Sequence, residues 1–312
     1  MRSAKCEVRG RKIRNPLGGI ETFFRGDILR DEPLCRHTSY RIGGPADLYL
    51  IPADVEDAAA VVRYAEEQDI PRLVIGNGTN LLVSDAGIRG IVMDLHKACG
   101  HLRAEGYIVR VGAAVSLREL TRFCEERGLG GLDFLSGIPG TVGGALRMNA
   151  GAFTGEVSDP LQCIQAIDRT GRIVQLEKSS IDFGYRRADG LESYIVTGAT
   201  FALFEEDPDV IAGRRQEILQ RRSEKQPLEY PSAGSVFKRP QGDYAGRLIE
   251  AAGCKGWRVG DAMVSPKHAN FIVNLGHATA SDVLSLIRKV QIQVREQFDV
   301  ELELEIKLVG DF

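Results

Sequence analysis

The sequence has 312 residues, of which 43% are hydrophobic and 27% charged, with a formal net charge of −3. This length allows two or three domains and a substantial core, and the composition is typical of a soluble globular protein. The charge does not suggest nucleic-acid binding, and no apolar run approaches the length of a membrane span. Six scattered cysteines without C-x-x-C spacing predict no metal site and fit a reducing cytosol.

The first residues are basic, from Arg2 to Arg14, but no apolar segment follows them, so they do not form a secretory signal. We expect residues 1–18 to be a basic lead-in. The mixture of apolar and charged groups at 20–35 predicts a short helix or a packed arm.

The next segment predicts a strand, a helix and a second strand. Residues 47–52 are apolar and end at a proline, as strands often do. Asp54 can cap a helix whose apolar residues recur at helical spacing until Pro71. Residues 73–75 then predict a buried strand. The loop 76–80 therefore lies at the carboxyl end of a strand, where α/β sheets bind ligands.

The middle of the chain is rich in strand signals. Ser116–Glu119 is a capping box that begins a helix, and Gly128 ends it. Residues 163–167 and 172–176 flank a Thr-Gly pair and predict a hairpin. Further strands are predicted at 81–83, 91–95, 107–111, 194–196 and 200–204.

The last third combines two helical patterns with a terminal strand pattern. A charged helix is predicted at about 209–222, and an amphipathic helix at about 282–297. Residues 300–308 alternate strictly between apolar and charged groups, which predicts a half-buried strand.

Two glycine-rich loops carry the first functional signal. Residues 136–145 and 147–152 hold several glycines, Pro139 and little charge, so they are neither an amphipathic helix nor an alternating strand. Glycine has no Cβ, so its backbone amides can approach an anion such as a diphosphate closely. One such loop is more often a simple connection. A second, at 76–80, favours a phosphate-binding role for both.

These loops resemble the flavin-binding loops of the vanillyl-alcohol-oxidase type of FAD fold. Over residues 36–310 the chain resembles the UDP-N-acetylenolpyruvoylglucosamine reductases, in the shorter of their two architectural types, because no tyrosine-bearing insertion follows Arg187. The resemblance implies an α+β protein, with a PCMH-type FAD-binding fold in two lobes and a C-terminal αβ substrate-binding domain. The implied boundaries are a lead-in at 1–35, an FAD-binding domain at 36–205 with lobes at about 36–98 and 99–205, a substrate-binding domain at 206–304, and a terminal strand at 305–312 that returns to the first lobe.

The resemblance also implies which residues contact FAD. No histidine or cysteine for a covalent flavin tether occurs in either phosphate loop. The implied FAD-binding residues are Tyr40, Ile42, Gly43, Gly44, Gly76, Asn77, Gly78, Thr79, Asn80, Leu81, Ser84, Ser136, Gly137, Ile138, Pro139, Gly140, Thr141, Gly143, Gly144, Asn149, Gly151 and Ile195.

The segment 231–240 resembles the family's Ala-Gly-Ser-x-Phe-Lys motif, in which the serine is the proton donor. The match assigns this role to Ser235 rather than Ser232. A hydroxyl is a poor acid in water and can protonate only a strongly basic carbon. Without the resemblance, Ser235 would be taken for a turn serine. Arg239 stands where many relatives have asparagine, which puts a substrate contact there in doubt.

Two further side chains complete the implied catalytic set. The Gly184–Arg187 segment resembles a family Tyr-Arg motif, which assigns to Arg186 a carboxylate-binding fork, although an exposed arginine pair is the simpler reading. Glu301, Glu303 and Glu305 alternate on one face, and nothing intrinsic distinguishes them. The family ending assigns the functional carboxyl to Glu305, which a nearby substrate carboxylate would keep protonated.

Substrate contacts are implied at the rim of this site. The resemblance assigns them to Tyr185, Lys225 and Lys238, although surface lysines are usually only solvated. The segment 267–271 also resembles a family motif, but we assign it no ligand-binding role.

The implied function is that of a bacterial cytoplasmic enzyme of peptidoglycan precursor synthesis. NADPH would reduce FAD, and the reduced flavin would pass hydride to UDP-N-acetylglucosamine enolpyruvate to give UDP-N-acetylmuramate. We expect small-molecule partners only and a monomer or weak oligomer. Two alternatives stay open: an FAD-linked oxidase of the same fold, and a non-catalytic nucleotide-sugar-binding module.

Overall fold

The computed structural model describes residues 16–152 and 155–312, so the expected lead-in at 1–18 lies mostly outside the described residues. A 3-10 helix spans Pro16–Thr22 and strand β1 spans Asp27–Pro33. The segment at 20–35 therefore contains both a short helical turn and a strand.

The first sheet carries one of the two glycine loops at its edge. The other elements of this region are β2 Pro45–Ile51, α1 Val55–Glu67, β3 Arg72–Ile75, β4 Leu81–Val83 and β5 Ile88–Asp94, of which β4 lies outside the first sheet. The strand order is β1-β2-β5-β3, with β2, β5 and β3 parallel and β1 antiparallel to β2. The predicted cap of α1 is confirmed, because the Asp54 carboxylate accepts a hydrogen bond from the Asp57 amide at 2.8 Å. The loop 76–80 leaves the carboxyl end of β3, as predicted.

The second part of the chain forms a five-stranded antiparallel sheet in the order β12-β11-β15-β7-β6. Its regular elements are β6 Leu102–Glu105, β7 Ile108–Gly112, α2 Leu117–Glu126, β8 Leu129–Gly130, α3 Val142–Arg147, β9 Gly151–Ala152, β10 Gly155–Glu156, β11 Leu161–Ile167, β12 Ile173–Glu177, β13 Asp182–Gly184, β14 Arg187–Asp189, β15 Ile195–Ala202 and β16 Phe204–Glu205. The predicted hairpin is confirmed as β11 and β12. Ser116 caps α2 by accepting from the Glu119 amide at 3.1 Å.

One strand prediction in this sheet is wrong. Residues 194–196 and 200–204 were expected to form two strands, but Ile195–Ala202 is one continuous strand, β15. The small residues at its centre suggest a turn when the sequence is considered alone. In the sheet they are required by space, since a Cβ on Gly198 would lie 3.0 Å from the carbonyl oxygen of Val111.

Apart from its first helix, which contacts α2, the third part of the chain packs around a separate hydrophobic core. It contains α4 Pro208–Lys225, α5 Ala245–Ala251, β17 Arg258–Val259, β18 Ala262–Val264, β19 Ile272–Asn274, α6 Ala280–Phe298 and β20 Lys307–Val309. The predicted amphipathic helix is α6. A capping box between Thr279 and Asp282 begins it, and its apolar stripe is buried at Val283, Leu286, Ile287, Val290 and Val294.

The terminal strand prediction is only partly right. Of residues 300–308, only the last two belong to a strand, β20, which pairs in parallel with β4 in a separate two-stranded sheet. The backbone changes its hydrogen-bond partner just before β20. The Glu305 amide donates to the Val236 carbonyl at 2.8 Å, whereas the Lys307 amide donates to the Asn80 carbonyl at 2.9 Å. Leu302 and Ile306 are buried. The alternating sequence pattern therefore indicates which residues are buried, although no single strand pairs along the whole segment.

Buried polar contacts join the third part of the chain to the first. The hydroxyl of Tyr40 donates to the carbonyl of Ile272 at 2.9 Å, and the Asn274 side-chain amide donates to the Tyr40 carbonyl at 3.0 Å. Tyr40 is fully buried in the core of the third part. The predicted domain boundaries stay predictions. Over residues 16–152 and 155–312, no helix is long and apolar enough to span a bilayer.

Candidate active site

Two neighbouring cavities share part of their lining, and one of them lies where the three parts of the chain meet. We call the first the inner chamber; it has a volume of about 750 Å³ and is lined by both glycine loops together with Arg186, Ser235 and Glu305. The second, the outer chamber, has a volume of about 560 Å³ and is lined largely by residues 70–77, 94–96 and 192–196. Both volumes are in the range of ligand-binding pockets. The walls shared by the two chambers are Leu73, Val74, Gly76, Asn77, Thr141, Gly144, Arg147 and Glu192.

The two glycine loops touch each other at the shared wall. The Thr79 hydroxyl donates to the Pro139 carbonyl at 3.2 Å. A Cβ on Gly76 would lie 2.6 Å from the Thr141 hydroxyl oxygen, so only glycine allows this approach. Gly140 has φ +129, a conformation that other residues rarely adopt. These contacts fix the two loops as one surface.

Only some amides of these loops are available to an anion. The Gly143 amide donates to the Ala113 carbonyl at 2.8 Å, and the Gly144 amide donates to the Thr141 hydroxyl at 3.3 Å. In the described part of the chain, the amides of Gly78, Thr79 and Gly140 have no protein partner. The anion-binding capacity therefore lies before α3, and Gly143 and Gly144 contribute close approach rather than free donors.

The predicted FAD-binding residues divide into two groups. Most of the residues of the two loops line the inner chamber, while Gly143 and Ile195 line the outer one. Others lie behind the chambers: the Ser84 hydroxyl contacts the Asp311 carbonyl, and Asn149 is fully buried. An FAD contact stays a prediction for both groups, and the second group lines neither chamber. It comprises Tyr40, Ile42, Gly43, Gly44, Ser84, Ser136 and Asn149.

Arg186 projects from a tight turn into the inner chamber. Strands β13 and β14 pair Gly184 with Arg187, so Tyr185 and Arg186 form the two-residue turn between them. Arg186 has φ +56, a left-handed conformation that costs a non-glycine residue roughly 1 kcal/mol. Nη1 of Arg186 donates to the Gly151 carbonyl at 3.3 Å and so holds the side chain in place. The turn is therefore held in a costly shape that places the guanidinium.

Arg186 and Glu305 form an ion pair in this chamber. Nε of Arg186 donates to Oε1 of Glu305 at 2.6 Å, and the two side chains are 21% and 15% exposed. Burial raises the pKa of the Glu305 carboxyl, and Arg186, followed by Lys238, opposes that shift. The backbone of Glu305 is fixed as well, since its carbonyl accepts from the Asn80 side-chain amide at 3.2 Å. Glu305 thus differs from its exposed neighbours Glu301 and Glu303.

Ser235 lies on the wall of the same chamber. It follows Gly234, whose φ is +77, and its hydroxyl makes no hydrogen bond to any described residue. The segment after it is held by Asn270. The Val236 amide donates to the Asn270 carbonyl at 2.8 Å, and the Asn270 side chain exchanges hydrogen bonds with both backbone groups of Phe237, at 2.8 and 3.0 Å.

Sequence analysis gave Asn270 no role, although it quoted the segment 267–271. A buried asparagine followed by an apolar run is a weak sign of a backbone clamp. Arg222 was missed altogether. It lines the inner chamber from the end of α4, and its Nε is buried without a partner among the described residues. Burial lowers the pKa of Arg222, as does nearby Arg186. An acceptor atom on a bound ligand would satisfy this nitrogen.

The three predicted substrate residues lie outside the chamber lining. Tyr185 is 48% exposed, and its hydroxyl accepts from the Arg239 amide at 3.2 Å. Nζ of Lys238 lies 3.2 Å from a carboxylate oxygen of Glu303. Lys225 is exposed at the end of α4. Arg239 stacks its guanidinium 4.5 Å from the ring centre of Tyr244. In the described residues, no group of three or more possible metal ligands is found.

Comparisons with known proteins identify the family of the chain. Residues 46–177 match the FAD binding domain family, and residues 226–309 match the family described as the C-terminal domain of UDP-N-acetylenolpyruvoylglucosamine reductase. The chain is 46% identical to the UDP-N-acetylenolpyruvoylglucosamine reductase of Clostridium novyi (strain NT), over 94% of this chain and 95% of that protein. It is 45% identical to that of Exiguobacterium sibiricum, over 94% and 97%.

A solved structure extends the comparison to three dimensions. The crystal structure of the reductase from Thermus caldophilus superposes with a TM-score of 0.80 at 37% identity, covering 92% of this chain and all of that one. The predicted α+β fold with an FAD-binding domain is confirmed, and FAD is the cofactor. The chain belongs to the UDP-N-acetylenolpyruvoylglucosamine reductase family of FAD-dependent oxidoreductases.

Proposed function

We propose that this protein reduces the enolpyruvyl ether of UDP-N-acetylglucosamine enolpyruvate to UDP-N-acetylmuramate, with NADPH as the reductant. The observation that carries the proposal is the Arg186–Glu305 pair, which faces the same chamber as the free Ser235 hydroxyl and the glycine loops. A carboxylate-binding fork, a buried carboxyl and a hydroxyl are the groups that reduction of an enolpyruvate needs. A non-catalytic module would leave them without a joint purpose.

The two chambers fit FAD. FAD is long, with a diphosphate between an aromatic ring system and an adenosine, and the chambers join at a glycine wall. The free amides of Gly78, Thr79 and Gly140 would receive the diphosphate, and the orphan Nε of Arg222 would meet an acceptor on the ring system. When bound, FAD would supply the hydride chemistry between NADPH and the methylene carbon of the substrate.

Arg186 and Glu305 would hold the enolpyruvyl carboxylate. Hydride addition at the methylene carbon places negative charge on the neighbouring carbon and its carboxylate. The fixed guanidinium of Arg186 stabilises this charge in a site shielded from solvent. Burial raises the pKa of Glu305, so this carboxyl can share a proton with the substrate carboxylate instead of repelling it.

Ser235 would supply the proton that completes the reaction. The carbon next to the carboxylate becomes strongly basic after hydride addition, so even a hydroxyl can protonate it. No described residue occupies the hydroxyl, and the Asn270 clamp fixes the backbone just after it. The net change consumes one hydride from NADPH and one proton from solvent, which re-protonates Ser235.

The nucleotide part of the substrate would bind at the rim. Lys225, Lys238 and Tyr185 present two cations and an aromatic ring near the chamber mouth, which suits a uridine diphosphate. These substrates and products are soluble nucleotides, so we propose that the protein acts in the bacterial cytoplasm, in peptidoglycan precursor synthesis, as a monomer or weak oligomer.

A two-step stopped-flow experiment on Ser235→Ala tests the proposal. NADPH should bleach the flavin at the wild-type rate, because Ser235 has no part in that step. Reoxidation by the enolpyruvyl substrate should slow by about 10²- to 10⁴-fold, the usual contribution of a general acid. Ser232→Ala is the matched control, since it removes a hydroxyl three residues away. Normal reoxidation of Ser235→Ala, or an equal loss in Ser232→Ala, would exclude Ser235 as the proton donor.

A further inference from the structure

Arg147 occupies a position that the predicted FAD contacts do not include. It is the last residue of α3, and it lines both chambers at their shared wall. Side chains of a helix tilt towards its N-terminus, and residues three or four apart share a face. Arg147 therefore lies on the same face of α3 as Gly143 and Gly144, which also line the chambers.

The charge of Arg147 is only partly compensated. Its guanidinium donates to the Leu191 carbonyl, and no carboxylate oxygen of the described residues lies within ion-pair distance. Burial lowers the pKa of Arg147, with the charge of Glu192 opposing the shift. The Glu192 carboxylate is itself held by the Gly190 amide at 2.8 Å. Arg147 is therefore a cation on a cavity wall, and no described carboxylate pairs with it directly.

Three other arginines of the chambers, Arg72, Arg186 and Arg187, have carboxylate partners, whereas Arg169 and Arg222 form no ion pair with the described residues. Arg72 pairs with Glu66 at 2.8 Å, and Arg187 pairs with both Asp182 and Asp189. Among the described residues that line both chambers at once, Arg147 is the one cation. The free loop amides at this wall offer dipoles but no net charge. A diphosphate carries about two negative charges, and a guanidinium can bind phosphate oxygens through two parallel hydrogen bonds.

We propose that Arg147 binds the FAD diphosphate from the α3 side of the cleft, opposite the free loop amides. This inference rests on the proposed placement of FAD across the two chambers. On binding, the guanidinium exchanges its contact with the Leu191 carbonyl for phosphate oxygens.

The test is a titration of flavin-free protein with FAD, followed by quenching of flavin fluorescence. Arg147→Gln should raise the Kd for FAD by about 10- to 100-fold, because it removes a charge-assisted contact. The dependence of Kd on salt should also weaken. Arg147→Lys should recover part of the affinity. Arg122→Gln is the matched control: it removes an exposed helical arginine that lines neither chamber, and its Kd should stay within about 2-fold of wild type.

Competition by nucleotides separates a phosphate contact from a structural role. ADP and adenosine are each used to displace FAD. Arg147→Gln should weaken ADP and leave adenosine unchanged, whereas a general disturbance of the cleft weakens both and would overturn the inference. An unchanged FAD Kd in Arg147→Gln would also overturn it. Wild-type protein is titrated first; failure of wild type to bind FAD would instead reject the proposed function.

Discussion

The inner chamber has two walls that are built in opposite ways. The loop wall consists of backbone from residues 76–80 and 137–144, locked by contacts that a Cβ would prevent. The polar wall consists of the side chains of Arg186, Ser235 and Glu305, drawn from distant segments. The Gly151 carbonyl and the Glu305 carboxylate hold the Arg186 side chain, and Asn80 and Val236 hold the backbone of Glu305. A backbone wall suits a cofactor that stays in place. A wall of fixed side chains suits charge and protons that move during the reaction.

Among substitutions that affect one wall but not the other, Arg186→Met should have the largest effect. It removes the fork from the polar wall and leaves Glu305 buried without its partner. The rate of flavin reoxidation by the enolpyruvyl substrate should fall by about 10²- to 10³-fold, as for loss of one charge-stabilising donor. Stopped-flow absorbance of the flavin measures this step separately from reduction by NADPH.

The same variant should leave the loop wall intact, so its Kd for FAD should stay within about 3-fold of wild type. Arg186→Lys serves as the control, because it keeps the charge but not the planar fork. It should recover only a small part of the rate. A large loss of FAD affinity in Arg186→Met would show that the two walls do not act separately.

The converse change is Gly76→Ala on the loop wall. The added Cβ would lie 2.6 Å from the Thr141 hydroxyl oxygen, which also caps α3. We expect the Kd for FAD to rise by about 10-fold, since overpacking typically costs 1–3 kcal/mol. Protein reconstituted with saturating FAD should then reoxidise at nearly the wild-type rate. Fluorescence titration and stopped flow give the two numbers.

Gly213→Ala is the matched control for Gly76→Ala. Gly213 lies in α4, and a Cβ there meets no atom within 4 Å. The substitution should stabilise the protein by about 0.5–1 kcal/mol through helix propensity, with no change in FAD affinity. If both alanine variants bind FAD like wild type, close approach at Gly76 does not matter for the cofactor.

The two walls also differ in how far the sequence could predict them. The glycine loops are local patterns with a direct physical meaning, so their place at the end of β3 and their role as one wall could be predicted. The polar wall could not be assembled from physics alone. Arg186 looked like part of an exposed pair and Ser235 like a turn residue, and only a family resemblance brought them together with Glu305.

What was missed has a common physical cause. Asn270 and Arg222 contact residues that are remote in sequence, and no local sequence pattern predicts such contacts. Burial alternation at residues 300–308 correctly indicated buried Leu302 and Ile306, but it could not show that the segment changes backbone partners midway. For β15, small residues that signal a turn in isolation are required by neighbouring strands.

The smallest expected effect is on the pH dependence of the free energy of unfolding. Comparing wild type with Glu305→Gln distinguishes Glu305 from its exposed neighbours. Burial raises the pKa of Glu305 in the folded protein above its ordinary value, so the folded state holds this proton more tightly than the unfolded chain does. Stability from this group is therefore full below the ordinary pKa and is lost as pH rises through the raised one. Between the ordinary pKa and the raised pKa of Glu305, wild type should lose stability relative to Glu305→Gln as pH rises. Above the raised pKa, the difference in stability should stay constant.

Denaturant unfolding of flavin-free wild type and Glu305→Gln, from about pH 4 to pH 8, measures the drift. Glu303→Gln is the control, because the Glu303 side chain is 75% exposed two residues away. Its difference from wild type should not follow the same trend. If the wild type instead gains stability relative to Glu305→Gln as pH rises, the Arg186 charge outweighs burial, and Glu305 is an ordinary carboxylate of an ion pair. In that case the polar wall could not hold the proton that lets two carboxylates meet there.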